Sequence, residues 1–281
     1  MFYLLNILIQ MKILLDNTSL IESLRPFNDL GFVPTMGGLH KGHLSLINKS
    51  NKICKKTIVS IFINPKQFDN KKDLMTYPRN IQKDLNILKK NKKVDFVYFP
   101  KFNDIYKDKK KSKINLAKKD KILCAKFRKG HFEGVLDVMN RLTKIVNPQK
   151  IFMGEKDFQQ LYLVKKLLER KYKTKVISCK IIRDKNKVAL SSRNFLLKRS
   201  NLIIAANIYK KLNNIKKNIK KNKHIPNFLN FQKKELIKKY KIKIDYLELR
   251  NKKNLQLSNT IHNSRLFIAY YLNNVRLIDN L

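Results

Sequence analysis

Two histidines three residues apart, His40 and His43, follow a glycine pair in FVPTMGGLHKGHLSLI (32–47), where a helical pattern begins. Imidazoles at that spacing share one helix face, and glycines let a ligand approach the backbone closely. A helix amino terminus adds unpaired N–H groups and the positive end of the dipole. This combination reads as a seat for phosphate or a nucleotide. In SIFINPKQF (60–68), Gln67 offers an amide that both donates and accepts, suited to a hydroxy acid. In GEKDFQQ (154–160), Lys156 can neutralise phosphate charge as it develops, Asp157 can cap the next helix or hold ribose, and Gln160 lies one turn on, facing the same cleft. In ALSSRN (189–194), the hydroxyls of Ser191 and Ser192 and the planar fork of Arg193 can wrap a polyphosphate. Arg128 and His131, in FRKGHF, sit just before an amphipathic helix begins, at a place that favours an anion.

These residues need a scaffold of alternating strands and helices. TIVSIFI (57–63) is a β-branched run suited to a buried strand, and Asn64-Pro65 stops it. Ile81, Leu85 and Leu88 mark a helix face, VDFVYFP (94–100) is the next strand, and residues 101–121 read as a solvated, lysine-laden loop. Val135, Val138, Met139, Leu142, Ile145 and Val146 form an apolar helix stripe. A strand, a glycine turn and a helix fill 150–168, and VISCKII (176–182) is another strand. Beyond about 195 the pattern changes to two lysine-rich helices, roughly 195–222 and 230–240. A strand IDYLELR and a hairpin turning at Asn273-Asn274 follow. The expected fold class is α/β, a doubly wound, mostly parallel, Rossmann-like sheet over residues 1–182, with a smaller α+β domain over 183–281 that closes on the nucleotide.

Composition sets bounds. With 281 residues and 43% hydrophobic content the chain can bury one large or two modest cores. Its formal charge of +43 suggests a nucleic-acid partner on its face. But 52 of the 63 basic residues are lysines spread over the whole chain, alongside abundant Asn and Ile, absent Trp and scarce Gly and Pro. That is the signature of codon bias with a solvated lysine surface, so no specific nucleic-acid partner is expected. All seven glycines fall between Gly31 and Gly154, mostly in the stretches above. The three cysteines lack metal-like spacing and are odd in number, as expected of reduced thiols in a cytoplasmic protein. The apolar opening MFYLLNILIQMKILL has no basic leader or small-residue cleavage site and is too short to span a membrane; an early strand is expected, with Met11 as an alternative start.

PTMGGLHKGH, SIFINPKQF, RKGHF, GEKDFQQ and SSRN, in that order, resemble the pantoate–beta-alanine ligase family of the HxGH nucleotidyltransferases. The resemblance implies ATP-dependent condensation of (R)-pantoate with beta-alanine to pantothenate, AMP and pyrophosphate through a pantoyl adenylate, with magnesium and a homodimeric assembly. It implies that ATP is held by Met36, Gly37, Gly38, Leu39, His40, Lys41, Gly42, His43, Gly154, Glu155, Lys156, Asp157, Ile182, Leu190, Ser191, Ser192 and Arg193. Asn64, Gln67, Arg128 and Gln160 would hold pantoate or beta-alanine. His40, His43, Lys156 and Arg193 would act on the phosphates, with His43 as the acid that helps pyrophosphate leave. The magnesium ligands are not legible. Two departures stand out: Lys129 replaces a proline, and Asn186-Lys187-Val188 replaces Asp-Gly-Leu. The rival readings are another HxGH adenylyltransferase, which would lack SIFINPKQF and GEKDFQQ together, a basic nucleic-acid binder, and a decayed, inactive relative, for which the departures at Lys129 and Lys187 are the only support.

Overall fold

Short β-branched runs with no polar alternation pair in parallel only when helices cover both faces. The computed structural model describes residues 11–107, 114–222 and 224–281. Its first part runs β1 (Lys12–Leu14), α1 (Asn17–Leu24), β2 (Leu30–Thr35), α2 (Lys41–Ile53), β3 (Lys56–Ile61), α3 (Lys71–Thr76), α4 (Ile81–Asn91), β4 (Phe96–Tyr98), α5 (Phe102–Tyr106), α6 (Cys124–Phe127), α7 (His131–Val146), β5 (Lys150–Gly154), α8 (Phe158–Lys171) and β6 (Lys175–Cys179). The six strands form one parallel sheet in the order β1-β4-β3-β2-β5-β6. Alternate residues face opposite layers. Phe32, Ile58 and Ile151 pack with the apolar stripes of α1, α7 and α8, whereas Val33, Val59 and Phe152 pack with those of α2 and α4.

From β2 the chain moves to β3 on one side, and from β5 to β6 on the other. The gap between the carboxyl ends of β2 and β5 is therefore a topological switch point, where open α/β sheets bind ligands. PTMGGLHKGH leaves the end of β2, GEKD the end of β5, and NPKQF the end of the neighbouring β3.

The second part comprises α9 (Arg199–Asn218), α10 (Ile225–Tyr240), β7 (Lys243–Asn251), β8 (Ser264–Leu272) and β9 (Val275–Asn280), the three strands pairing antiparallel. One face of this sheet, with Leu266, Ile268 and Tyr270, packs on α9 and α10. The other, with Tyr246, Phe267 and Ala269, joins the core of the first part. Asn273 and Asn274 both have positive φ, 46° and 65°, as a tight two-residue hairpin turn requires.

Three expectations change. Helix α10 begins at 225 rather than about 230, because Pro226 is accommodated in the first turn. The stretch 101–121 is not simply loop: α5 forms, and Tyr106 is buried. Residues 108–113 of that stretch, and 1–10 of the apolar opening, lie outside the described residues. Ile81 does not face the core but is 60% exposed, and Asp84 is buried instead. Lys187 occupies the place of the expected glycine with φ of 67°, in the turn where its N–H donates to the Asp184 carbonyl. An L side chain is strained there. Lys187→Gly is accordingly expected to raise stability by about 0.5–1 kcal/mol, or roughly 1–4 °C in a thermal melt.

Candidate active site

The HKGH segment is held by its own side chains. His40 is the cap of α2, and its Nδ1 accepts from the Gly42 N–H at 3.0 Å, while His43 Nδ1 accepts from the His40 N–H at 3.3 Å. Because each Nδ1 is an acceptor, each neutral ring carries its proton on Nε2. The rings lie 4.1 Å apart between centroids and line a cleft of about 230 Å³. Burial, reinforced by Lys156, lowers the His40 pKa to about 4; burial, then His40 and Lys156, lower that of His43 to about 3. Both are therefore neutral N–H donors near pH 7.

The glycine turn is not an open phosphate cradle. Asp84, 3% exposed, reaches from α4 and accepts from the Gly38 and Leu39 N–H groups, each at 2.8 Å. The Gly37 N–H bonds Thr35 Oγ1. Positive φ at Gly37 and Gly38, 80° and 61°, gives the turn its shape, and a Cβ on Gly38 would lie 3.0 Å from Ser192. Ser192 in turn donates its hydroxyl proton to the Gly38 carbonyl at 2.9 Å. Ser192 thus fastens the SSRN segment onto the glycine turn rather than presenting a free hydroxyl. Ser191 accepts from the Arg193 N–H and caps a short 3-10 turn, leaving Arg193 as the fork at the cleft. Ile182 and Leu190, joined by a backbone hydrogen bond, form an apolar wall suited to a base.

At the end of β3, Asn64 is 1% exposed and fully engaged. Its Nδ2 donates to Gly134 and Gln67 oxygens, and its Oδ1 accepts from Tyr106 and the Lys66 N–H. With no valence left for a ligand, Asn64 positions Gln67. Helix α7 seats against this turn because residue 134 is glycine: a Cβ there would meet the Lys66 carbonyl oxygen at 2.1 Å. Arg128 is held by side chains rather than by a proline at 129. Its Nε donates to Asp69 at 2.8 Å and its Nη1 to His131 Nε2, also at 2.8 Å, while His131 Nδ1–H donates to the Gln67 carbonyl. Burial, then Arg128, lower the His131 pKa to about 3. His131 opens α7 rather than preceding it.

Lys156 and Gln160 line the same cleft as the histidines. Asp157 makes no side-chain cap on α8, so its capping role is not realised; its carboxylate lies 3.6 Å from Lys156 Nζ. Asn280, on β9, donates from Nδ2 to the carbonyls of Glu155 and Lys156, and Arg265 bonds the Glu155 carboxylate at 2.6 Å. Glu155 is thereby a strut of the turn, and Lys156 is aimed by the carboxyl-terminal sheet. A neighbouring cavity of about 610 Å³ shares Arg128, His131, Lys156, Asp157, Gln160, Ser191 and Arg193, so the two are parts of one cleft. Among the described residues no group of three or more His, Cys, Asp or Glu is placed to hold a metal, and the cysteines are buried and free. His224 and His262 are exposed, away from the site.

Sequence reasoning missed Asp84, Tyr106 and Asn280. Asp84 was the detectable one: a carboxylate four residues before the buried Leu88 on the inner face of an amphipathic helix. The others depend on pairings across 42 and 125 positions, which no local pattern reveals.

The match to known proteins spans the chain. A model described as Pantoate-beta-alanine ligase matches residues 12–281. A pantothenate synthetase from Christiangramia forsetii is 39% identical over 259 residues, 90% of each chain. One from Ruthia magnifica subsp. Calyptogena magnifica is 39% identical over 277 residues, 96% of this chain and 98% of its own. Among solved structures, pantothenate synthetase from Thermus thermophilus has a TM-score of 0.89 at 29% identity, covering 96% of this chain and 99% of its own. Pantoate-beta-alanine ligase from Francisella tularensis, complexed with beta-gamma ATP and beta-alanine, has a TM-score of 0.80 at 34% identity, covering 96% and 97%.

Two outcomes follow from this geometry. Asp84→Asn leaves one of the two turn N–H groups without a full acceptor and is expected to cost about 1–3 kcal/mol in urea unfolding, with activity falling alongside. His40, His43 and His131 bind protons near pH 6.5 when unfolded but only near 4 or 3 when folded, so stability is complete above 6.5 and is lost as pH falls. Between pH 7 and 5, above the carboxylate range, unfolding free energy from urea titration is expected to drop by up to about 2 kcal/mol per histidine, with a flatter slope in His131→Asn.

Proposed function

This chain belongs to the pantoate-beta-alanine ligase family, and from that premise we propose how its cleft makes pantothenate. The reaction is the ATP-dependent joining of pantoate to beta-alanine. The observation that carries the site assignment is the meeting of four stretches far apart in sequence, HKGH, NPKQ, GEKDFQQ and SSR, on one cleft at the sheet's switch point.

In this reading the adenine lies against Ile182 and Leu190, and the phosphates extend between the two histidines, Lys156 and Arg193. Gln67 and Gln160 orient pantoate, with Arg128 drawing its carboxylate. A pantoate carboxylate oxygen attacks the α phosphorus, a P–O bond forms, and the bond to the β-phosphate oxygen breaks, releasing pyrophosphate and leaving pantoyl adenylate. The amine of beta-alanine then attacks the acyl carbon, loses a proton and displaces AMP. No protein nucleophile is needed, so the catalytic contribution is positioning and charge stabilisation. The neutral Nε2–H groups of His40 and His43 donate to phosphate oxygens, while Lys156 and Arg193 take up the charge that builds on the departing pyrophosphate.

Magnesium would fit as an ion held chiefly by the substrate phosphates, since no group of three or more His, Cys, Asp or Glu among the described residues offers a protein cage. Asp157 is the carboxylate on the inner cleft able to hold one position, and the ion would supply further neutralisation of phosphate charge. A homodimer, a cytoplasmic setting and closure of the cleft by residues 183–281 complete the proposal, supported by family membership. No helix among the described residues is long and apolar enough to cross a membrane.

The test is release of AMP and pyrophosphate from ATP, magnesium and pantoate, with and without beta-alanine. Pantothenate should form only with both acids present, and Lys156→Ala should lose about a hundredfold or more in kcat. No turnover by folded protein would refute the assignment.

A further inference from the structure

Both arginines that face the phosphates and the acid are already occupied. Arg193 holds Asp73 through two nitrogens, Nη2 to Oδ2 at 2.7 Å and Nε to Oδ1 at 3.3 Å. Arg128 holds Asp69 at 2.8 Å, and its Nη2 lies 3.8 Å from the same Asp73 Oδ2. Asp73 therefore bridges two guanidinium groups on the wall of the wider cavity. Its carrier is lightly anchored. Helix α3 has six residues, none buried, and Met75 is 78% exposed. The anchors at either end, Gln67 and Tyr77, are buried.

A carboxylate and a phosphate offer a guanidinium the same pair of acceptor oxygens. We propose that Asp73 is a positioning residue that stands in for a nucleotide phosphate: it holds the Arg193 fork in line with the cleft in the substrate-free enzyme and is displaced when a polyphosphate binds. This rests on the reading of the cleft as an ATP site. Two anions cannot share the fork without repulsion, and a polyphosphate carries more charge than one carboxylate. The phosphate takes the arginine, and α3, having no buried side chain, moves aside at little cost. While Asp73 is paired, only the fraction of molecules with a free fork is competent, and apparent affinity is reduced by that fraction. Asp73 thereby sets a threshold, letting a polyphosphate in and keeping singly charged acids off Arg193.

The test uses the full chain, wild type, Asp73→Asn and Asp73→Glu, titrated calorimetrically with a non-hydrolysable ATP analogue and with inorganic pyrophosphate. Asp73→Asn is expected to bind both probes about fivefold more tightly, and Asp73→Glu to bind like wild type. In the wild type, hydrogen exchange over residues 69–77 is expected to quicken when the analogue binds. Equal or weaker binding by Asp73→Asn, or slower exchange over 69–77, overturns the inference and leaves the ATP reading standing. A folded wild type that binds neither probe overturns both.

Discussion

A single buried carboxylate organises this site. Asp84 leaves α4 to accept the backbone protons of Gly38 and Leu39, and through them it sets the turn from which the rest of this side of the cleft is hung. A carboxyl group out of water is stable only where hydrogen bonds replace its hydration. The reverse holds as well, since the paired N–H groups of a tight turn need an acceptor. Each side satisfies the other, and the outcome is a turn that delivers His40 to the cap of α2 and offers the Gly38 carbonyl to Ser192. The SSRN segment is thereby moored to the glycine turn across 154 residues of chain.

The electrostatics of the cleft follow from burial. The two HKGH histidines are desolvated and sit beside Lys156, so they stay neutral and contribute directed N–H groups. Positive charge is left to Lys156, Arg128 and Arg193, each held by oxygen partners: Lys156 near Asp157, the arginines on Asp69 and Asp73. Donors and cations are thus set before the ligand arrives, which is the condition under which electrostatic stabilisation costs no reorganisation during reaction. The chain's enormous net charge plays no visible part in this arrangement. What matters at the site is a handful of fixed groups, not the lysine surface around them.

The alternation of strand and helix, the parallel sheet and the carboxyl-terminal hairpin were all legible because hydrophobic period and turn chemistry are local properties. TIVSIFI could only be a buried strand, and Asn273-Asn274 could only be a tight turn. The motif stretches were legible for the same reason, being contiguous. What could not be read was which members of each motif face the ligand and which face the protein. Asn64 and Ser192 look like binding groups in sequence, yet their polar atoms are spent on Gly134, Tyr106 and Gly38. Asp84 looks incidental, yet it holds the glycine turn that lies against the cleft.

The sequence by itself determined the family, the reaction type, the order of the elements and the short list of candidate site residues. Those depend on residue identity and on spacings within a turn or two of chain. Only the tertiary structure decided the protonation of the histidines, the partner of each arginine and the division between residues that bind and residues that position. Those depend on burial and on contacts between segments tens to more than a hundred residues apart. The cost of an unpaired buried polar group or charge is what sorts them, and that cost exists only once the chain is packed.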